Sequence, residues 1–223
     1  MDKFIIAGTG KWNKELYISK NFHFRSRFKF VESPKELRMT LRSHKPKYIF
    51  FIHWRWIVPK SIIIKYECIC FHMTDLPYGR GGSPLQNLIL RKHKYTKLSV
   101  IKMTDKIDAG PIYYKRVLSL NGSARQIYVR CSKLSIKLIE KIIKNNPSPV
   151  EQKGKIVQFK RRQPNQSKIP KNLSLNDIYD YIRMLDAPGY PKAYINIGKN
   201  KVELFDAKFN NGTLKFKGSI KSK

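Results

Sequence analysis

The sequence predicts an α/β fold with a mostly parallel sheet and flanking helices, followed by a small C-terminal β-rich appendage. Short β-branched and aromatic runs at residues 4–7, 48–52 and 68–71 alternate with helical segments, the pattern of parallel strands joined by crossover helices. The run Asn145-Asn146-Pro147-Ser148-Pro149 reads as a linker. Beyond it the pattern becomes one helix and several short strands. A domain over 1–150 and an α+β appendage over 151–223 are therefore expected.

Residues 4–7 (Phe-Ile-Ile-Ala) read as a buried first strand. Gly8-Thr9-Gly10 turns the chain toward a helix near 13–19. Asn13 stands where a dinucleotide fingerprint needs its third glycine, so that signal is weak. Phe24, Phe28, Phe30 and Val31 suggest a second strand, and Ser33-Pro34 followed by Glu36 opens a helix through N-cap and first-turn chemistry. A strand at 48–52, a short helix at 61–66 and a buried strand at 68–71 follow. Residues 73–83 form a Gly- and Pro-rich loop, and Pro84 fits the first turn of a helix through Leu90. Strands are expected at 98–103 and 112–118 around a turn at 105–110. Ile127, Cys131, Leu134, Leu138, Ile139 and Ile142 recur near a 3.6 period, giving a long amphipathic helix over 123–144. After a strand at 156–159, Ser174 caps a helix through Leu185, with Asp177 at the capping-box position. Strands at 193–197, 202–207 and 214–216 close the chain, with Asn210-Asn211-Gly212 as a hairpin turn.

At 41% hydrophobic, the 223 residues can bury a sizeable core. No apolar run approaches the roughly 18 residues needed to span a bilayer. Cys68, Cys70 and Cys131 make no disulfide framework and no metal-ligand spacing, so a cytoplasmic protein without a metal is expected. The formal net charge is +31. Residues 1–150 carry 30 basic and 9 acidic residues and residues 151–223 carry 16 and 6, so no basic module stands out. The chain is rich in Lys, Ile and Asn and poor in Ala. An A/T-rich coding bias explains that pattern as well as a polyanion-binding surface does, and both readings stay open.

His72 emerges at the C-terminal end of a buried strand, where open α/β sheets bind ligands. Gly79, Gly81 and Gly82 follow and let the backbone approach a ligand closely. The loop from Asp105 through Asp108 to Gly110 can present a carboxylate. From spacing alone, a surface loop with an incidental histidine remains open.

These residues resemble the folate-dependent formyltransferases. That family has an Asn-x-His, then Leu-Pro, Arg-Gly and Pro, and later Asp-x-Gly. Here His72, Leu76-Pro77, Arg80-Gly81, Pro84 and Asp108-Ala109-Gly110 follow in register. Cys70 departs from the pattern, standing where the family has its asparagine. The resemblance implies a Rossmann-like formyltransferase fold, His72 and Asp108 as the catalytic pair, and N10-formyltetrahydrofolate as co-substrate. In the reaction it implies, an amine attacks the formyl carbon. His72 stabilises the developing oxyanion, and Asp108 orients the imidazole and helps accept the amine proton. Trp54, Arg55, Trp56 and Ile57, together with Gly79, Arg80, Gly81 and Asp105, are expected around the folate.

Residues 159–164 and 182–193 are similar to the branch that formylates nucleotide-linked deoxyamino sugars for cell-surface polysaccharide. That likeness implies a dTDP- or UDP-amino sugar substrate, with Arg80, Arg161, Arg162 and Tyr190 as its contacts. On this reading no nucleic-acid partner and no membrane span are expected, and a homodimer stays open. One alternative is a methionyl-tRNA formyltransferase, disfavoured because only about 70 residues follow Val150. The other is a catalytically inactive polyanion-binding relative.

Overall fold

The structure, a computed structural model, describes residues 2–19 and 25–221. The expectation placed on Phe24 lies outside them. In chain order the elements are β1 (Phe4–Gly8), α1 (Lys11–Ile18), β2 (Phe28–Val31), α2 (Pro34–Ser43), β3 (Tyr48–Ile52), α3 (Lys60–Lys65), β4 (Glu67–His72), β5 (Tyr78–Gly81), α4 (Pro84–Leu90), β6 (Tyr95–Lys102), β7 (Ile112–Ser119), α5 (Ala124–Asn145), β8 (Val157–Phe159), α6 (Leu175–Arg183), β9 (Ala193–Ile197), β10 (Asn200–Asn210) and β11 (Thr213–Lys221). Short 3-10 turns at Arg25–Arg27 and Pro164–Ser167 complete them.

The main sheet runs β2-β1-β3-β4-β6-β7. Strands β1 to β4 pair in parallel, and β6 joins β4 antiparallel. β1 is followed in sequence by β2 on one side and flanked by β3 on the other, so a topological switch point lies between β1 and β3. Alternation splits the strand side chains between two faces. Phe4, Phe28, Tyr48, Phe50 and Phe71 meet on one, with Phe4 and Phe28 ring centroids 5.0 Å apart. Ile5, Ala7, Val31, Ile49, Phe51 and Cys68 cluster with Leu37, Val58 and Ile62 on the other. Each large side chain so buried contributes about 1.5–3 kcal/mol before conformational entropy is set against it. In β4, Cys70 and His72 share the alternation of Cys68.

The described residues cluster into two compact units whose segments interleave along the chain. The first contains residues 1–81, 97–118 and 129–158; the second contains 82–96, 119–128 and 159–223. Residues 151–158 thus cluster with the main sheet. Val150, just past the expected linker, is integrated there too, since Ile112 and Val150 exchange backbone hydrogen bonds of 2.7 and 2.9 Å.

In the second unit, Gln86 donates from Nε2 to the Tyr128 hydroxyl (3.2 Å) and to the Met184 carbonyl (3.0 Å). Its sheet has the order β11-β10-β9, all antiparallel. Asn211 and Gly212 both have positive φ, the conformation a two-residue hairpin turn needs. β11 is an edge strand carrying Lys215, Lys217 and Lys221. No helix of the described residues is long and apolar enough to cross a membrane.

Candidate active site

His72 ends β4 at the C-terminal edge of the main sheet and is only 7% exposed. Its Nε2–H donates to the Gly79 carbonyl at 2.8 Å. That bond commits Nε2 to the main chain. Nδ1 faces Asp108 Oδ1 at 3.6 Å. The other carboxylate oxygen, Oδ2, accepts the Gly81 N–H at 2.9 Å. The carboxylate is therefore aimed by a backbone amide, and the imidazole by a backbone carbonyl.

The loop between them is fixed from below. Ser99, which faces His72 across the β4–β6 pairing, donates from Oγ to the Thr74 carbonyl (2.6 Å) and accepts the Leu76 N–H (3.2 Å). Thr74 Oγ1 donates to the Gly79 carbonyl at 3.2 Å, so that oxygen receives both Thr74 and His72. The peptide bond Leu76-Pro77 is cis. Gly79 and Gly81 have φ of 80° and 105°, where a side chain would be strained. At Gly110 an added Cβ would lie 1.8 Å from the Lys102 carbonyl oxygen, so the Asp108 loop turns back onto β6 only with glycine there. Asp108 itself has φ 51°, an uncommon value for a residue with a side chain.

Cys70 is half-buried beside this pair. Burial pushes its thiol well up, and the Asp108 charge adds to the effect. It is thus an uncharged thiol and a weak hydrogen-bond donor at neutral pH.

A second polar group sits at the switch point. Thr9 Oγ1 donates to the His53 carbonyl at 2.5 Å. Asn13 Nδ2 donates to the Thr9 carbonyl (2.6 Å), and Ser132 Oγ donates to Asn13 Oδ1 (2.5 Å). Burial, with the charge on Arg55, pushes the His53 imidazole down to about 3. Its ring is therefore neutral, and the loops leaving β1 and β3 are tied to each other.

His72, Cys70, Gly79, Arg80, Gly81 and Asp108 all come together in the first unit. Arg80 reaches the Asp108 loop through the Gln152 side chain, a residue sequence reasoning missed. Ser99 and Thr74 were missed too. A serine in a strand and a glutamine past a Pro-rich run carry no local signal.

Trp54 packs on the core cluster, edge-on to Phe51 and Trp56, with centroids 5.6 and 4.9 Å away. Arg55, Trp56, Ile57 and Asp105 are exposed. Arg161, Arg162 and Tyr190 lie in the second unit. There the Arg162 guanidinium donates to the Gln166 carbonyl, and Tyr190 stacks on Tyr128 at 5.3 Å.

Residues 164–221 match the model of the C-terminal domain of methionyl-tRNA formyltransferase. A methionyl-tRNA formyltransferase from Clostridium thermocellum is 41% identical with a TM-score of 0.94, and all of each chain is covered. A methionyl-tRNA formyltransferase from Thermodesulfovibrio yellowstonii is 26% identical over 180 residues, 77% of this chain and 58% of that protein. The chain thus spans somewhat more than half the length of such curated relatives. HypX from Aquifex aeolicus, solved with tetrahydrofolic acid, shares the fold at 14% identity and a TM-score of 0.74, over 93% of this chain and 38% of that one. A sugar N-formyltransferase from a Shewanella species shares it at 16% identity and 0.64, over 88% and 93%.

These findings overturn the amino-sugar reading. A structure of the same extent bears the methionyl-tRNA formyltransferase name, so the short C-terminal part does not exclude that activity. The motif at 180–193 that suggested the sugar branch has structural duties. Asp180 pairs with Lys92 (2.8 Å) and Arg183 (2.6 Å). Arg183 Nη1 donates to the Leu120 and Gly122 carbonyls, and the Asp186 carbonyl accepts the Arg125 N–H. The chain belongs to the formyltransferase family, the one that includes methionyl-tRNA formyltransferase.

Proposed function

We propose that this chain transfers a formyl group from N10-formyltetrahydrofolate to the amine of the methionyl residue on methionyl-tRNA. The observation that carries the reaction is the pair of buried His72 and half-buried Asp108 at the sheet's C-terminal edge, each partner aimed by a backbone group. The match of 164–221 and the full-length likeness at 41% identity support the tRNA substrate. The net charge of +31 suits a polyanionic substrate but, being spread evenly, does not by itself select one. The expectation of no nucleic-acid partner is accordingly withdrawn.

The folate co-substrate supplies the activated formyl group when bound. The residues fit it: Trp56 is 44% and Ile57 78% exposed, an apolar pair in water after β3 that suits a flat heteroaromatic ring. Gly79 and Gly81 leave backbone bare beside His72. Arg55 and Asp105, both exposed, complete the proposed folate contacts. His72, its imidazole oriented by Asp108, stabilises the oxyanion that develops on the formyl oxygen, and Asp108 helps accept the proton the amine loses. Cys70 lies where a donor to the formyl oxygen is needed and offers only a weak one. Three free cysteines suit a reducing cytoplasm.

The test is direct. Methionyl-tRNA and formyl-folate are incubated with the protein, and the aminoacyl ester is released and weighed by mass spectrometry. A gain of one formyl group is expected. No gain on methionyl-tRNA together with formylation of a UDP- or dTDP-amino sugar would overturn the reading.

A further inference from the structure

We propose that Gln152 is a positioning residue that sets the Asp108 loop and keeps Arg80 off the Asp108 carboxylate. This rests on the reading of Asp108 as the working carboxylate. Gln152 Nε2 donates to the Asp108 carbonyl (2.9 Å) and to the Gly110 carbonyl (2.8 Å). Its Oε1 accepts Arg80 Nε (3.2 Å) and Nη2 (2.7 Å). A primary amide has two N–H groups and two lone pairs, and here all four are used. The side chain is anchored rather than loose, because Val150, two residues earlier, is bridged to Ile112 at the start of β7.

Both ends of the amide bear on the site. Asp108 holds its left-handed φ in a loop with no regular structure, and such a conformation persists only when its surroundings over-determine it. One amide group ties the carbonyls of Asp108 and Gly110, on either side of that turn. Arg80 follows Gly79 and precedes Gly81, whose N–H aims the Asp108 carboxylate. A guanidinium so placed would pair bidentately with that carboxylate if nothing else engaged it. Such a pair would take the lone pairs that face His72. Gln152 engages Arg80 with a neutral oxygen instead and leaves Asp108 to His72.

The isosteric substitution Gln152→Glu separates the two duties. A carboxylate still accepts Arg80. It has no N–H for the Asp108 and Gly110 carbonyls and sets negative charge against both. The expected result is a kcat lowered roughly 10- to 100-fold, as for a slight misplacement of a reacting group, with KM for methionyl-tRNA within about threefold. Heteronuclear NMR supplies a readout that needs no substrate. The Gly81 amide proton, shifted downfield by its carboxylate acceptor, should move upfield and lose exchange protection, while the Phe50 and Ile69 amides stay protected. Gln152→Met, of similar shape and without hydrogen bonds, should give the same Gly81 signature and serves if the glutamate variant does not fold. An unchanged Gly81 amide in either folded variant overturns the proposal. So does a kcat within twofold of the parent in a protein that formylates methionyl-tRNA. If the parent formylates nothing, the proposed function fails, and the Gly81 signature still decides whether Gln152 holds the loop.

Discussion

His72 and Asp108 face each other at 3.6 Å, and each is fixed by a main-chain group rather than by another side chain. Removing either therefore leaves the scaffold that positions the other. His72→Ala and Asp108→Asn should each lower kcat by roughly 10²–10⁴ with the melting temperature little changed; near-normal turnover in either removes that residue from the mechanism. Cys70→Asn places a strong neutral donor next to the pair, in the family's own pattern, and should hold or raise kcat for methionyl-tRNA. A folded but inactive Cys70→Asn protein would mean that the site is built around the thiol. His53 makes a pH prediction. Burial holds its folded pKa at about 3, below the ordinary imidazole value of about 6.5, so the unfolded chain binds the extra proton. Stability is then unaffected above about 6.5 and falls as pH drops from there toward 3. His53→Asn, which tolerates the local φ of 52°, should flatten that decline in thermal melts between pH 6.5 and 4.5. His44, also pushed down by burial, is present in both proteins and cancels in the comparison.

At the level of elements, caps and turns were legible where one residue type does the work. Ser33 Oγ accepts the Glu36 N–H at 3.2 Å, and Ser174 Oγ accepts that of Asp177 at 3.2 Å, both as the sequence predicts. Ser33→Ala should cost about 1 kcal/mol in chemical denaturation with an unchanged m-value. β5 escaped notice, because four residues are too few to show a period, whereas β8 falls inside the strand expected at 156–159. The Gly-rich loop is thus part of a two-stranded pairing. Candidate residues were readable where glycines, a strand end and an acidic loop coincide, at His72 and Asp108. Gln152 was not, since its role is made wholly by chain segments brought together in space. The same limit explains the misread motif at 180–193, whose charged residues satisfy carbonyls and each other within the second unit.

Over the whole molecule, the charge of +31 is distributed too evenly for sequence to reveal a partner. The proposed substrate rests on likeness over the full chain and on residues 164–221. Binding to tRNA should accordingly weaken at least roughly tenfold between 50 and 200 mM salt, as counterion release requires for several phosphate contacts. Filter binding or fluorescence anisotropy checks this; an affinity flat across that range would argue against a phosphate-tracking surface. The lysines of β11 bear on a different matter. A nine-residue edge strand with exposed Phe216 and Ile220 offers unpaired amides and carbonyls along its open side. Two copies meeting there antiparallel would bring Lys215 and Lys217 of one near those of the other. Lys215 sets like charge along that border, while Lys217 is paired with Asp206 at 2.8 Å, so the open edge carries a charge that opposes a second copy zipping onto it.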